Sequence, residues 1–396
     1  MNTHHDVLIV GGGNAGISLA AHLRRLGCRD VAVVDPAKTH TYRPLLSYVG
    51  AGRADLAHAQ RPQGRAMPSR CHRYAEAVVA VDPERRAVVT DRGREISGND
   101  LVICPGSSPD WDAAPGTGDA VVGSAASTNY LPELAAKTWT LMSSLTSGRA
   151  VFTVATETVP CGGVGYKPLF ILCDLWRRRG VLGDLDVTVL VEDRRMFALD
   201  RPDEQLRAAA ERYGVRVVTS ARVGGVDPEG QVVRAETPAG AVLYPFDALH
   251  LTPRHRAPEW IGAAGLSGLP GGFAAVDPET LRHPEHPRVW AMGDAAELGA
   301  QRSGGGLRKQ VPILARNIAA QRLGRAFARY DGYSVAPIAT SGTSLLLAEF
   351  DRQGRPTPSF GLADLQRSRP WTYAYDLFMQ PQLYWHGILK GRVGSA

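Results

Sequence analysis

Short unbroken apolar runs alternate with glycine-rich turns and with helical apolar stripes. That pattern predicts parallel strands buried on both faces and crossed over by helices. The first run, residues 7–10, leads into Gly11, Gly13 and Gly16. Ile17, Leu19, Ala20, Leu23 and Leu26 then continue at helical spacing, and a second run at 31–34 ends on Asp35, nineteen residues past Gly16. Strands joined by DPER and DRGR turns follow from Tyr74, and DLVICPG (100–106) returns the chain to the first sheet and turns at Gly106.

A second α/β unit begins near Arg149, with a strand at 150–155, a turn at 160–165, a helix at 166–179 and a strand at 186–192. An amphipathic helix at 205–213 and strands at 215–226 and 231–242 close it, and 246–253 leads back towards the first unit. RVWAMGD (288–294) reads as a strand ending in Gly293-Asp294, followed by a glycine-rich turn at 303–306 and a long helix at 312–330. The fold class is therefore α/β, with two dinucleotide-binding (Rossmann-like) domains of the FAD/NAD(P)-linked reductase type and a small C-terminal segment. Residues 1–115 and 251–330 form the first domain and 148–250 the second, with a vestigial NAD site. Residues 331–396 form an acceptor or membrane-proximal region.

The first turn carries dinucleotide chemistry. Gly11 permits the tight bend, Gly13 lets a pyrophosphate approach the backbone, and Gly16 lets helix and strand pack closely. Asn14 and Ala15 complete that cradle, with the positive end of the helix facing the phosphates, and Asp35 is placed to accept hydrogen bonds from a ribose. Residues 40–52 read as a loop and short helix covering the cofactor, and 53–72 as a polar surface excursion. CGGVGYK, at the matching place in the second unit, has no G-x-G-x-x-G in register. A nicotinamide cofactor has no phosphate cradle there, and Glu192 reads as an ordinary strand-end acid.

Composition narrows the classes. The 396 residues carry a net charge of +6, but the excess is diffuse and forty of the 45 basic residues are Arg, which argues against nucleic-acid binding. Five cysteines without C-x-x-C spacing argue for a reducing compartment and against a disulfide framework or a zinc site, and no metal is expected. The first strand starts within seven residues, leaving no room for a signal peptide, and no run approaches the ~18 apolar residues of a spanning helix. A cytoplasmic protein is expected, with peripheral contact at the inner face of a membrane left open.

Seven stretches carry a resemblance: HTYRPLLSYVGAG (40–52), VPCGGVGYK (159–167), HLTP (250–253), AMGD (291–294), YDGYSVAPIAT (330–340) with LLLAEFD (345–351), and LYWHGILKG (383–391). Through them the chain resembles the sulfide:quinone oxidoreductases of the pyridine-nucleotide–disulfide flavoprotein superfamily, best in their mitochondrial-like branch. The resemblance implies bound FAD, sulfide or a related sulfur donor as reductant, and a membrane quinone as oxidant. It implies that Gly293 and Asp294 hold the flavin's ribityl chain. The helix start bearing Lys309, Gln310 and Val311 would then face its carbonyl edge. It also implies a peripheral membrane contact and is compatible with a homo-oligomer. Leu383, Tyr384, Trp385, Ile388 and Leu389, beside Lys390 and Arg392, either lie at a bilayer interface or pack inward.

Cys161, between a buried strand and a helix N-terminus with Lys167 six residues on, is expected to have a lowered thiol pKa. The resemblance places it beside the flavin, where a thiolate can donate electrons. Cys28, Cys71, Cys104 and Cys173 read as packing residues. Two departures stand out: Ala295 and Ala296 follow Gly293-Asp294 where this branch carries its second redox cysteine, and Ala336 replaces a frequent cysteine. Oxidation of sulfide, a persulfide or a small thiol through Cys161 leads the readings. The others are a biosynthetic flavoenzyme with another substrate, a type II NADH dehydrogenase-like enzyme, and a non-catalytic flavoprotein serving a partner.

Overall fold

The computed structural model describes residues 3–268, 271–359 and 364–393. The strand His4–Val10 lies between Val31–Val34 and Glu95–Ile103 and runs parallel to both, with Val10 opposite Val34 and Ile103. His72–Tyr74 extends one edge in parallel, while Ala87–Thr90 and Val78–Asp82 continue the other in antiparallel fashion. Val289–Ala291 pairs with residues 101–103, so a strand from far along the chain completes the sheet that the first strand opens. Helices Asn14–Arg25 and Leu307–Leu323 pack on this sheet, and its central strands are sealed from water, as their uninterrupted apolar runs require.

The second sheet is parallel throughout, in the order Ala126–Ser127, Ala248–His250, Gly148–Val154, Leu185–Val191 and Arg216–Val218. Beside it stands a meander of Arg222–Asp227, Val232–Thr237 and Gly240–Pro245. Both strands expected at 215–226 and 231–242 are therefore split. Ser220, at φ +53°, turns the chain out of the parallel sheet, and the Pro238–Gly240 corner, with Gly240 at φ +109°, makes a hairpin. The stretch 53–72 is also more than a surface excursion. Gln60–Pro62 pairs with Thr39–Thr41, and Ala59, Gln63 and Ala66 are buried.

The long helix begins at Leu307, five residues before the expected Pro312, and ends at Gly324 rather than Tyr330. The Ser303 hydroxyl accepts from Gly306 N at 3.0 Å and closes the turn that leads into it. Val311 thus sits a turn inside the helix and is buried.

The hairpin Ser334–Ala339/Leu345–Phe350 is apolar on both faces. Val335, Ala339, Leu345 and Leu347 join the core of the first unit, while Ala336, Ile338, Leu346 and Ala348 join that of the second. Strand periodicity thus makes the hairpin a wall between the two units. The chain then closes in short turns of helix, Pro370–Ala374, Tyr375–Met379 and Gln380–His386. Of the two placements open for the C-terminal aromatics, packing inward is the one found. Tyr384, Trp385 and Leu389 are buried against Tyr42, Leu45 and Leu46, with the Arg61 guanidinium 4.3 Å from the Trp385 ring centroid. The large apolar residues exposed among the described residues of this segment are Trp371, Phe378 and Met379. Among the described residues no helix is long and apolar enough to cross a membrane.

Candidate functional site

The fingerprint turn shows why each glycine is there. A Cβ on Gly11, at φ +109°, would meet the Cys104 carbonyl oxygen at 2.3 Å, and one on Gly16 would meet the Gly11 oxygen at 1.9 Å. Around Gly13 and Gly106, by contrast, a Cβ would meet nothing within 4 Å, which leaves room for a ligand against the backbone. Sequence reasoning missed Gly12, whose Cβ would stand 2.5 Å from Gln63 Nε2. Asp35 accepts from Gly12 N at 2.6 Å and from Ala37 N at 2.8 Å, so the fingerprint turn itself aims the carboxylate. Gln63, also missed, donates to the Gly12 oxygen at 2.7 Å; a polar residue in a polar stretch gave no signal.

Ala15 packs beside Gly293, and Asn14 donates to the Gly304 oxygen at 3.4 Å, so the two halves of the first unit meet at the cradle. Gly293 N donates to Gln310 Oε1 at 3.0 Å, which makes Gln310 the anchor of the Gly-Asp turn. Lys309 pairs with Asp331 at 2.7 Å and lies over the Tyr333 ring. The Asp294 carboxyl is crowded into the cleft and pushed up by burial, with Arg43 and Arg302 pulling the other way. The carboxyl is only part-buried, so a ligand hydroxyl can reach it. Open backbone at Gly13 and Gly106, with an acid at each end, fits an FAD.

Cys161 stands where three parts of the chain meet. Its N–H donates to the Arg302 oxygen at 2.7 Å, its thiol points to the Val335 oxygen at 3.9 Å, and Gly162–Gly165 leads on into the helix Tyr166–Arg179. Its backbone is left-handed, at φ +55°, a conformation that non-glycine residues keep only when their surroundings enforce it. The glycines of CGGVGYK serve packing. A Cβ on Gly163 would meet Ile338 at 3.0 Å, with Ala336 just beyond, and one on Gly165 would meet Thr252 at 2.9 Å.

Lys167 is fully buried and donates to Asp376 Oδ2 at 2.6 Å, while the Tyr48 hydroxyl donates to the same oxygen at 2.7 Å. The Lys167 ammonium also lies 4.7 Å from the Tyr48 ring centroid. Asp376 sits in the π-helical turn Tyr375–Met379, a form common at functional sites. It too was missed, and its only signal was an acid inside the apolar run YDLFM. This network corrects the expected thiolate. Burial pushes the Cys161 thiol up to about 12; Lys167 pulls it down, and Asp376 and Asp294 push it up again. The thiol keeps partial solvent access, but protein crowds it, the α-helix starts only at Tyr166, and Lys167 is already paired.

Cys104 and Cys173 are buried, Cys28 and Cys71 belong to the opposite edge of the first sheet, and Ala295 is fully buried. At the carboxyl edge of the second sheet, Glu192 accepts from Thr156 N at 2.9 Å and from Arg254, which also pairs with Glu157 at 3.1 Å. The cavity left there, between Trp111, Leu190 and Pro253, is only about 30 Å³.

Residues 5–321 match the family model described as pyridine nucleotide-disulphide oxidoreductase. The chain belongs to that family. It is thus an FAD-dependent oxidoreductase with Rossmann-type domains, as the cradle leads one to expect. Among its relatives is the mitochondrial sulfide:quinone oxidoreductase of Mus musculus, 28% identical over 397 residues, covering 99% of this chain and 88% of that one. The mitochondrial sulfide:quinone oxidoreductase of Dictyostelium discoideum is 28% identical over 390 residues, covering 98% and 86%. The sulfide:quinone oxidoreductase structure from Aquifex aeolicus shares the fold, with a TM-score of 0.84 at 16% identity over 100% of this chain and 93% of that one.

Proposed function

We propose that this flavoprotein oxidises sulfide, a persulfide or a small thiol at Cys161 and passes the electrons through FAD to a quinone. The observation that carries this reading is the position of Cys161, in one electrostatic neighbourhood with Lys167, Asp376 and the cradle acid Asp294. FAD held by Gly11, Gly13, Gly16, Asp35 and Asp294 supplies two-electron acceptance and release. The protein's own part is to manage the thiol proton. Cys161 starts protonated, Lys167 steadies the thiolate once the proton leaves, and Asp376 with Tyr48 holds the ammonium in place.

With alanine at 295 and 296, no second cysteine follows the Gly-Asp pair to hold the sulfur, so it leaves on an external thiol. Sulfide and that thiol together lose two electrons and become a persulfide; the quinone takes two electrons and two protons. A cleft of about 780 Å³ beside Val49, Arg61, Trp139, Phe378 and Trp385 is large enough for a quinone head, and the exposed Phe378 on its lining, with the exposed Met379 next to it in the chain, suits a peripheral membrane contact. The Glu192–Arg254 closure of the second unit speaks against NADH as reductant. Anaerobic titration tests the reading. Sulfide is expected to bleach the flavin and a short-chain quinone to restore it. Bleaching by NADH but not by sulfide would overturn it.

A further inference from the structure

At the edge of the first sheet opposite the cradle, three side chains that the cleft does not use converge. His5 lies near the amino end of His4–Val10, Asp30 immediately precedes Val31–Val34, and His72 opens His72–Tyr74. These are three adjacent parallel strands, so the sheet itself brings residues 5, 30 and 72 together. His5 Nδ1 is 2.7 Å from Asp30 Oδ1, His72 Nε2 is 3.6 Å from the same oxygen, and the three ligand atoms all lie within 4.8 Å of one another.

We propose that His5, Asp30 and His72 form a binding site for a divalent transition-metal ion of the zinc kind. Imidazole nitrogen and carboxylate oxygen hold such ions at about 2.0–2.2 Å, which sets ligand atoms about 3.5 Å apart around a tetrahedron. The cluster is close to that spacing, and His72, 61% exposed, is free to turn through the remaining distance. The buried His5 is oriented from behind, its Nε2 lying 2.8 Å from the Tyr74 hydroxyl. That hydroxyl accepts from an Nε2–H as readily as it donates to a bare Nε2. Nδ1 can therefore exchange its proton for a metal while the ring stays hydrogen-bonded on its other side. Three protein ligands leave a fourth position to water on the exposed side. The ion would clip three strands at their amino ends, roughly 20 Å of strand away from the fingerprint turn, which gives it a structural role rather than one in electron transfer.

The test uses untagged holoprotein titrated with cobalt(II) and zinc(II). One equivalent is expected to bind with the visible absorption of four-coordinate cobalt, and zinc is expected to raise the melting temperature. His72→Ala and Asp30→Asn, checked for native circular dichroism, are expected to lose affinity at least about tenfold, and Tyr74→Phe to weaken it about tenfold through the lost second-sphere bond. Alkylating Cys28 and Cys71, which neighbour the cluster in sequence, is expected to leave binding intact. The proposal fails if the parent binds no equivalent of metal or if His72→Ala binds as tightly as the parent. It fails too if alkylation, and not the His72 change, removes the site.

Discussion

The Lys167 ammonium stands 2.6 Å from the Asp376 carboxylate, both sealed from solvent, although 209 residues separate them in the chain. Breaking such a pair from one side costs about 3–5 kcal/mol, because a buried charge is left uncompensated. Both members also act on the Cys161 thiol, which burial already pushes up, and they act in opposite directions. Asp376→Asn leaves Lys167 free to favour the thiolate, so alkylation of Cys161 by iodoacetamide at pH 7.5 is expected to quicken. Lys167→Met is expected to slow it. In the parent, with the thiol near 12, the alkylation rate is expected to climb about tenfold per pH unit from 7 to 9. A plateau below pH 8 would show that the thiolate already exists at neutrality.

The cradle separates folding from cofactor binding. At Gly16 an added methyl collides with the Gly11 oxygen, so Gly16→Ala is expected to destabilise the protein by more than about 2 kcal/mol and to yield little holoprotein. At Gly13 the space is open, so Gly13→Ala is expected to fold within about 1 kcal/mol of the parent yet bind FAD at least tenfold more weakly. Acid precipitation of the parent is expected to release all its yellow colour. Colour held in the pellet, or equal FAD affinity in Gly13→Ala, would contradict this account.

Elements whose cause is local were legible in the sequence. The 7–10 run, the glycine turn and Asp35 specify strand, bend and acid from neighbouring residues alone, and the RVWAMGD strand falls where its apolar run places it. What was lost depends on distant partners. Gln63 matters because Gly12 is beside it, Asp376 because Lys167 is, and neither relation leaves a periodicity. The expected low thiol pKa failed for the same reason, since the sequence shows Lys167 but neither the distant segments that bury the thiol nor the carboxylate that holds the ammonium. The long helix was misplaced because Pro312 looks like a first-turn residue, whereas the turn closed by Ser303 leads into the helix at Leu307.

Stability is expected to fall in mild acid. His250 is buried against Phe152, neither ring nitrogen has a hydrogen-bond partner among the described residues, and burial pushes its pKa down to about 4. A folded value below the unfolded 6.5 means that the stability is complete above pH 6.5 and is lost as pH falls towards 4. The loss amounts to about 3 kcal/mol by pH 4. His250→Phe is expected to flatten this part of the urea-midpoint profile between pH 6.5 and 4.5 relative to the parent. Parallel profiles would assign the acid sensitivity elsewhere, for instance to His255, whose pKa is also near 4.

Phe378 and Met379 face solvent while Trp385 is packed away, so membrane contact is expected to depend on the first two. Phe378→Ser with Met379→Ser is expected to lower liposome binding and turnover with a lipid-embedded quinone several-fold, while leaving flavin reduction by sulfide unchanged. Undiminished liposome binding in this double variant would remove the segment from any membrane role.

The missing second cysteine gives the sharpest test. Asp294 acts on the Cys161 thiol, whereas Cys104 is buried against Gly11 and Asp35 at the other end of the cradle, and Ala295 occupies the place after Gly293-Asp294. Cys161→Ser removes a group at a junction of three segments but keeps its size, so FAD is expected to stay bound while reduction of the flavin by sulfide falls at least a hundredfold, by roughly 3 kcal/mol in the barrier. Without a protein partner to hold the sulfur, turnover of the parent is expected to rise with the concentration of an added acceptor thiol and to be slow in its absence. Ala295→Cys supplies the partner thiol, and sulfide turnover in that variant is expected to exceed the parent's and to lose its dependence on added thiol. Ala295 is fully buried, so a sulfur atom has to be accommodated there, and a melting curve accompanies the assay to separate misfolding from inactivity. Fast sulfide-to-quinone turnover in the parent without any acceptor thiol would show that one cysteine suffices. Full flavin reduction by sulfide in Cys161→Ser would take the thiol out of the reaction altogether.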